Sequence, residues 1–589
     1  MSIVFPNIVL LEIFQKYSDL FLSESQYHYR HAHQSYIRTF IKKLLLVSKD
    51  FKNILKKIQF NYVEIPIGDI KSFVNVCNVT GGYKHVKLNC GDEPKSDDDI
   101  QRFSDSIRKS KSSLMVEISK SVKSAWDKVL PRLPQDQVTG VNLLSSTLFK
   151  FSEGSCNLEN LNTLILVAYM KHEDDNNLIS LLTADGVYSR DSIRNLVVSR
   201  FPLVKSTFSR IQMGNLRKLE FTSGDSGILN GQPVIDFILQ NPHLKKLKVH
   251  YEISRNLFEM DKFFQNACKL KELKTLEINP SFKITPDSEI ALIQYLNSTV
   301  TLKKFYTFIP LTKSIAQVNE NKGLPLLIEN TSITHIKGPL NLLSLWVDKS
   351  HILSFHLLST KGDQITDYTL IDLKTLVNLE SIHLERQKEL ISPILSHCTN
   401  LKQLKLKFYS EKYDIEETVQ SIISHKSLET FQIDSSRGVG DSPTDLTNAL
   451  IKLCEFHHPS LQEIRITNLH SQITRESDFI NALCTNKNLK YIYLFNSLSK
   501  ETELNNQIQI ISRNSNLEQL YLLEQSVQHH TPDTDQVNTL SKLIRTNRNL
   551  IALQMTTNHP SIEDAFKHSQ ISRIYRSKWN RYNKFPKLF

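Results

Sequence analysis

The sequence predicts an α/β repeat solenoid, with short parallel strands stacked along an inner rim and helices outside. Three observations predict it. An apolar pattern recurs at a near-constant step along most of the 589 residues. Segments with helical spacing stand between its copies. Glycine is scarce, at 16 residues, which disfavours collagen, glycine-rich linkers and glycine-dense phosphate loops.

The strand element is an apolar residue, two variable ones, an apolar, one variable, an apolar. Clear copies are Leu216-Leu219-Phe221, Leu244-Leu247-Val249, Leu273-Leu276-Ile278 and Leu302-Phe305, whose first positions lie 28, 29 and 29 residues apart. Later copies include Leu379-Ile382-Leu384, Leu401-Leu404-Leu406, Leu428-Phe431-Ile433, Leu461-Ile464-Ile466, Leu489-Ile492-Leu494, Leu517-Leu520-Leu522 and Leu550-Leu553-Met555. Weaker copies begin at Phe60, Tyr83, Ser113, Val138, Leu161, Ile193, Ile333 and Ile352. Together they make about 19 rungs at a mean step of about 27 residues, within the range of leucine-rich repeats. The chain resembles the longer, helix-bearing type of that family.

The last two apolar positions of each rung are two apart, so they share one face of a strand and the variable residue between them faces the other way. The helical element precedes the strand, as in VIDFILQNPHL, DFINALCTNKNL and TLSKLIRTNRNL. It ends in Asn or Cys, and a left-handed Asn is the expected stop. No repeat hides its apolar stripe alone, so neighbours must stack. Breaks in the step predict loops at 170–192, 309–331, 435–447 and 525–536. The expected domains are a helical module at 1–58, the solenoid at 59–563, and a basic, aromatic segment at 564–589 that is a tail or a terminal cap.

The first module is read from two helices. FPNIVLLEIFQKY places Leu10, Ile13, Phe14 and Tyr17 on one stripe, with Pro6 at the start. YIRTFIKKLLLVSKDFKNILKKI aligns Ile37, Ile41, Leu44, Ser48, Phe51, Leu55 and Ile58, and leaves further apolar residues for a second contact. Phe5-Pro6, Ile13-Phe14 and Leu44 to Phe51 (LLLVSKDF) make this module similar to an F-box, although Phe5 stands for the usual Leu and a polar stretch from Ser18 to Ser35 lengthens the middle. The resemblance implies a substrate-recognition subunit of a cullin-based ubiquitin ligase. Pro6, Ile8, Leu11, Ile13, Phe14, Val47 and Phe51 would bind a Skp-type adaptor, and the repeats would hold a substrate protein of unknown identity. Those helices also fit a simple cap on the first repeat.

On the rim, the variable positions Tyr491, Tyr493, Phe495 and Tyr521 form an aromatic row suited to a protein hot spot. Lys246, Lys248, His250, Lys304 and Tyr306, and separately Lys405 and Lys407, form basic stretches suited to acidic or phosphorylated segments. A solvated face and tight packing are the plain alternatives.

Enzyme chemistry is not expected. Gly224-Asp225-Ser226-Gly227 and Gly438-Val439-Gly440 lack the surroundings of a protease or a dinucleotide fold. His529, His530, Asp533 and Asp535 read as a polar loop, and Asp97-Asp98-Asp99 as a solvated turn. No metal and no cofactor is predicted. The 72 Lys and Arg against 61 Asp and Glu give a mild net charge of +11. A nucleic-acid partner, through the tail after Asp564, is the less favoured reading. The longest apolar run is far short of a bilayer span, so no membrane is expected. Seven scattered cysteines and an amino terminus without a signal-peptide pattern point to the cytoplasm, the nucleus or both. The alternative to a ligase subunit is a leucine-rich interaction scaffold with no ubiquitin role.

Overall fold

The computed structural model describes residues 56–57, 59–90, 96–118, 129–145, 157–168, 190–199, 213–222, 231–250, 260–279, 285–307, 327–358, 373–385, 388–408, 415–435, 443–467, 473, 475–495, 503–523, 533–555, 559–569 and 571–575. The chain divides into two units, Met1–Ser332 and Ile333–Phe589. The division falls where the sequence ladder loses its step. The helical module, with Pro6, Ile8, Leu11, Ile13, Phe14, Val47 and Phe51, lies outside the described residues.

In the first unit the strands are β1 (Phe60–Pro66), β2 (Tyr83–Cys90), β3 (Ser113–Ile118), β4 (Val138–Ser145), β5 (Thr163–Ala168), β6 (Asn195–Ser199), β7 (Lys218–Thr222), β8 (Lys246–His250), β9 (Thr275–Asn279) and β10 (Lys304–Thr307). Each pairs in parallel with the next, in chain order. Helices α1 (Ile70–Val79), α2 (Asp97–Ser110), α3 (Gly231–Leu239), α4 (Met260–Ala267) and α5 (Pro286–Ser298) connect some of them. The second unit repeats the plan with β11 (His335–Gly338), β12 (Ser354–Leu357), β13 (Ser381–Glu385), β14 (Gln403–Phe408), β15 (Thr430–Ser435), β16 (Glu463–Thr467), β17 (Tyr491–Phe495), β18 (Gln519–Leu523), β19 (Ala552–Met555) and β20 (Ser572–Tyr575). These too pair in parallel with the next in order. Its helices are α6 (Leu340–Ser344), α7 (Ile391–His397), α8 (Ile415–Ser424), α9 (Pro443–Glu455), α10 (Glu476–Thr485), α11 (Glu503–Arg513), α12 (Thr534–Thr546) and α13 (Pro560–Lys567).

Each unit is therefore an α/β solenoid of the leucine-rich-repeat type. Every one of the predicted rungs is a strand, β1 to β19. β20 lies inside the segment expected to be a tail or cap, and extends the ladder by one pairing with β19. The core is a stack of the predicted apolar positions: Leu216, Leu219 and Phe221 are buried, as are Leu244, Leu247 and Val249 one step on. Each such side chain contributes about 1.5–3 kcal/mol by leaving water, which is why the pattern tolerates so few polar intrusions.

The helix stops differ from the sequence expectation. Among the described residues, positive φ occurs at Lys111, His457 and Gly82, and not at a helix-ending Asn. Asn486 and Asn547, which follow α10 and α12, have extended backbones, with φ of −68° and −70°. Their role is carried by the side chain. Asn486 Oδ1 accepts from the amides of Asn488 and Leu489, both at 2.9 Å, while its Nδ2 donates to the Cys454 carbonyl of the preceding repeat at 2.6 Å. Asn514 and Asn330 bracket their turns similarly, with Nδ2 reaching the previous repeat and Oδ1 taking an amide of its own. After α9 a histidine does the same work. His458 Nδ1 accepts from the amides of Ser460 and Leu461, and Nε2 donates to the His425 carbonyl at 2.5 Å; His425 Nε2 donates in turn to the Cys398 carbonyl at 3.0 Å. The stop is thus a polar clamp between repeats, which satisfies amides and carbonyls that a buried turn would otherwise strand.

Two smaller expectations are also revised. Asp97, Asp98 and Asp99 are the first turn of α2, capped by Ser96, whose Oγ accepts from the Asp99 amide at 3.2 Å. Carboxylates there oppose the positive end of the helix dipole. α9 begins at Pro443, within the expected loop at 435–447.

Candidate binding face

The variable strand positions line the face of each sheet opposite the apolar core. In the first unit the register sets Lys218, Lys246, Thr275 and Lys304 in one row, and Glu220, Lys248, Glu277 and Tyr306 in the next. The predicted basic stretch is therefore interleaved with carboxylates. Lys246 Nζ stands 2.7 Å and Lys218 Nζ 3.3 Å from Glu220 Oε1. Lys248 Nζ lies 3.4 Å and His250 Nε2 2.9 Å from Glu277 Oε1. Lys248 is only 4% exposed, so it presents almost no surface, whereas Lys304 is exposed and Tyr306 half-buried. Burial raises the pKa of Glu220 and Glu277, but lysine and histidine hydrogen bonds and charges outweigh it and hold both carboxyls below their ordinary value. Burial, with Glu277 beside it, pushes the Tyr306 phenol up. A similar pair network lies on β1 to β4, where Lys87 Nζ is 2.6 Å from Glu117 Oε2 and the amides of Asn89 and Asn142 donate to the same carboxylate.

The second unit has a different face. One row runs Lys337, His356, His383, Lys405, Gln432, Arg465, Tyr493, Tyr521 and Gln554. Tyr493 and Tyr521 are stacked, with ring centroids 4.3 Å apart and planes 16° apart, and the Arg465 guanidinium carbon sits 4.5 Å from the Tyr493 centroid. Both phenols donate to Gln519 Oε1, at 3.0 and 3.2 Å. Tyr491 donates to Glu518 Oε2 at 2.9 Å, and Phe495 is half-buried at the end of the same strand. Four predicted aromatics thus come together on two adjacent strands, with Tyr521 the most enclosed, and the tyrosines are held by stacking and hydrogen bonds. Lys405 and Lys407 are half-buried beside two histidines that the sequence reading did not single out.

Those histidines, His356 and His383, are partners on β12 and β13, and their rings stack at 3.8 Å. Burial, then His356 and the three neighbouring lysines, pushes the His383 imidazole down to about 2. Burial also lowers His356, against the pull of Glu385. Arg465, Glu220 and Glu277 were missed as well. Aligning the strands by their core positions and reading down the intervening column would have found them all.

Gly224 to Gly227, Gly438 to Gly440, His529 and His530 lie outside the described residues, and Asp533 caps α12 by accepting from the Asp535 amide. Burial pushes the thiols of Cys77, Cys90, Cys398 and Cys454 up to about 12, which suits packing rather than nucleophilic chemistry. No helix among the described residues is long and apolar enough to cross a membrane.

No protein-family model matches the sequence, and no curated protein matches it. Among solved structures, the chain is similar to the leucine-rich repeat-containing protein LegL7 from Legionella pneumophila. The identity is 11% and the TM-score 0.31, over 51% of this chain and 91% of that one.

Proposed function

We propose that this chain is a non-catalytic protein-recognition subunit. In this reading the non-core face of the second unit binds a partner protein, and residues 1–58 dock a Skp-type adaptor that links the chain to a cullin, in the cytoplasm or the nucleus. The observation that carries the recognition half is Arg465 stacked on half-buried Tyr493, with the 7%-exposed Tyr521 packed on the Tyr493 ring as its support. Flat, amphipathic side chains already fixed by stacking lose little entropy when a partner covers them, as interface anchors do. The ligase half rests on the sequence pattern of Phe5-Pro6, Ile13-Phe14 and Leu44 to Phe51.

The test is reconstitution of the full chain with purified Skp-type adaptor and cullin, beside an Ile13→Asp, Phe14→Asp variant of unchanged circular dichroism. Capture by the intact chain and loss in the variant support the ligase reading. A folded intact chain that captures neither protein reduces the reading to a repeat scaffold. A Tyr493→Ala, Tyr521→Ala variant then addresses the scaffold itself. Partners cross-linked to the intact chain should be lost from this variant and kept by one altered at exposed Lys402, and retention in both would remove the aromatic column from the proposal.

A further inference from the structure

The pair of stacked histidines in the second unit shares one carboxylate. His356 Nε2 lies 3.4 Å and His383 Nε2 4.0 Å from Glu385 Oε1, and the three donor atoms all fall within 4.8 Å of one another. The backbone places them there. His356 and His383 are register partners on β12 and β13, and Glu385 stands two residues beyond His383 on the same face. All three side chains are mostly enclosed, at 24%, 17% and 15% exposure.

Two features separate this cluster from an ordinary polar face. His383 Nε2 is buried without a hydrogen-bond partner, a condition that native interiors rarely leave unanswered. Both imidazoles also place a ring nitrogen within 4.0 Å of the same oxygen. Around a tetrahedral zinc ion, with bonds near 2.0–2.2 Å, donor atoms lie about 3.4 Å apart. The His356–Glu385 separation already has that value; His383 Nε2 must come about half an ångström nearer to Glu385, and the widest pair of the three donors, up to 4.8 Å, must close to the same figure. Binding therefore requires the two nearly parallel rings to tilt so that their lone pairs converge on one point.

We propose that His356, His383 and Glu385 form a binding site for a divalent transition metal ion of the zinc type. Two imidazole nitrogens and one carboxylate oxygen are donors for zinc, cobalt, nickel or copper, and a poor set for calcium or magnesium, which take oxygen ligands. Three protein ligands leave a coordination position open. The surrounding lysines oppose a dication and set a ceiling on its affinity. Lys407 Nζ lies 3.9 Å from Glu385 Oε1, and Lys337 and Lys405 occupy the same row as the histidines. Lys407 therefore competes with the metal for Glu385.

The probe is Zn²⁺ alone, titrated into the chelator-stripped full chain in competition with a chromophoric indicator. Co²⁺ replaces it for visible spectroscopy. The expected result is one specific site with a Kd at or below about 1 μM and cobalt d–d bands of low-coordination type. His383→Ala and Glu385→Gln each weaken it by at least about 100-fold, the upper end of what loss of an outer-shell partner alone costs. Lys407→Met tightens it. Circular dichroism establishes that each variant is folded, and the isosteric Glu385→Gln serves if the alanine variant is not. The proposal is overturned if the folded intact chain binds no zinc, or if a His356→Ala, His383→Ala variant holds zinc with the same stoichiometry and affinity.

Discussion

The clamp made by Asn486 can be told apart from a left-handed helix stop by substitution. Asn486→Ala removes three hydrogen bonds at once, to the Cys454 carbonyl and from the amides of Asn488 and Leu489. Asn486 is 4% exposed, and the bonds to Cys454 and Leu489 are buried, so water does not replace them readily. At about 1–3 kcal/mol for each of the two stranded buried groups, the loss should be about 2–6 kcal/mol. Asn486→Gly decides the cause. A left-handed stop accepts glycine gladly. A side-chain clamp on extended backbone loses the same bonds with glycine as with alanine, plus about 0.5–1 kcal/mol of backbone entropy. Asn486→His should be milder than either, because His458 performs this role one repeat earlier. The assay is urea unfolding of the full chain, with hydrogen exchange at the Asn488 and Leu489 amides to localise the effect. Wild-type stability in Asn486→Gly, with a large loss in Asn486→Ala, would refute the clamp.

Two further outcomes follow from buried charge. His458 accepts at Nδ1 and donates at Nε2, so its working form is neutral, and burial holds its pKa below the ordinary value in spite of its bond to His425. A histidine with a lowered folded pKa contributes stability above its unfolded value near 6.5, and that contribution is lost as pH falls below it. Hydrogen exchange around β15 and β16 should therefore accelerate beyond its intrinsic trend as pH falls below about 6.5, and His458→Asn should flatten the change; no difference between the two proteins would sink the account. In the first unit, Glu277→Gln removes the carboxylate facing the enclosed Lys248 and should cost about 3–5 kcal/mol, read from thermal unfolding, whereas replacing both by apolar residues of similar volume should restore most of it.

What was legible in the sequence follows from what each feature depends on. A rung is a local pattern: Leu244, Leu247 and Val249 must all turn inward within six residues, so burial writes itself into the spacing. β20 escaped because Ile571 and Ile574 keep only part of that triplet. The helix stops were located but misread, since an Asn side chain that bonds across repeats and an Asn in a left-handed backbone leave the same letter. The basic stretch was read along single strands, and its compensation by Glu220 and Glu277 appears only across them. His356 and His383 lie 27 positions apart in the chain and 3.8 Å apart as rings, a contact created by the register alone.

That register also bears on where the proposed recognition would be sought. On β7 to β9 the lysines meet carboxylates from neighbouring strands, so an acidic partner would have to displace pairs already formed in an enclosed setting, at a desolvation cost close to its Coulombic gain. On β16 to β18 the side chains are held by stacking rather than by buried charge pairs. Arg465 and Tyr521 both pack on the Tyr493 ring, and Tyr493 and Phe495 remain half-buried on the same face. Rigid aromatics favour binding where charge pairs resist it, so the aromatic column of the second unit, rather than the lysine rows of the first, is the better place to seek the partner.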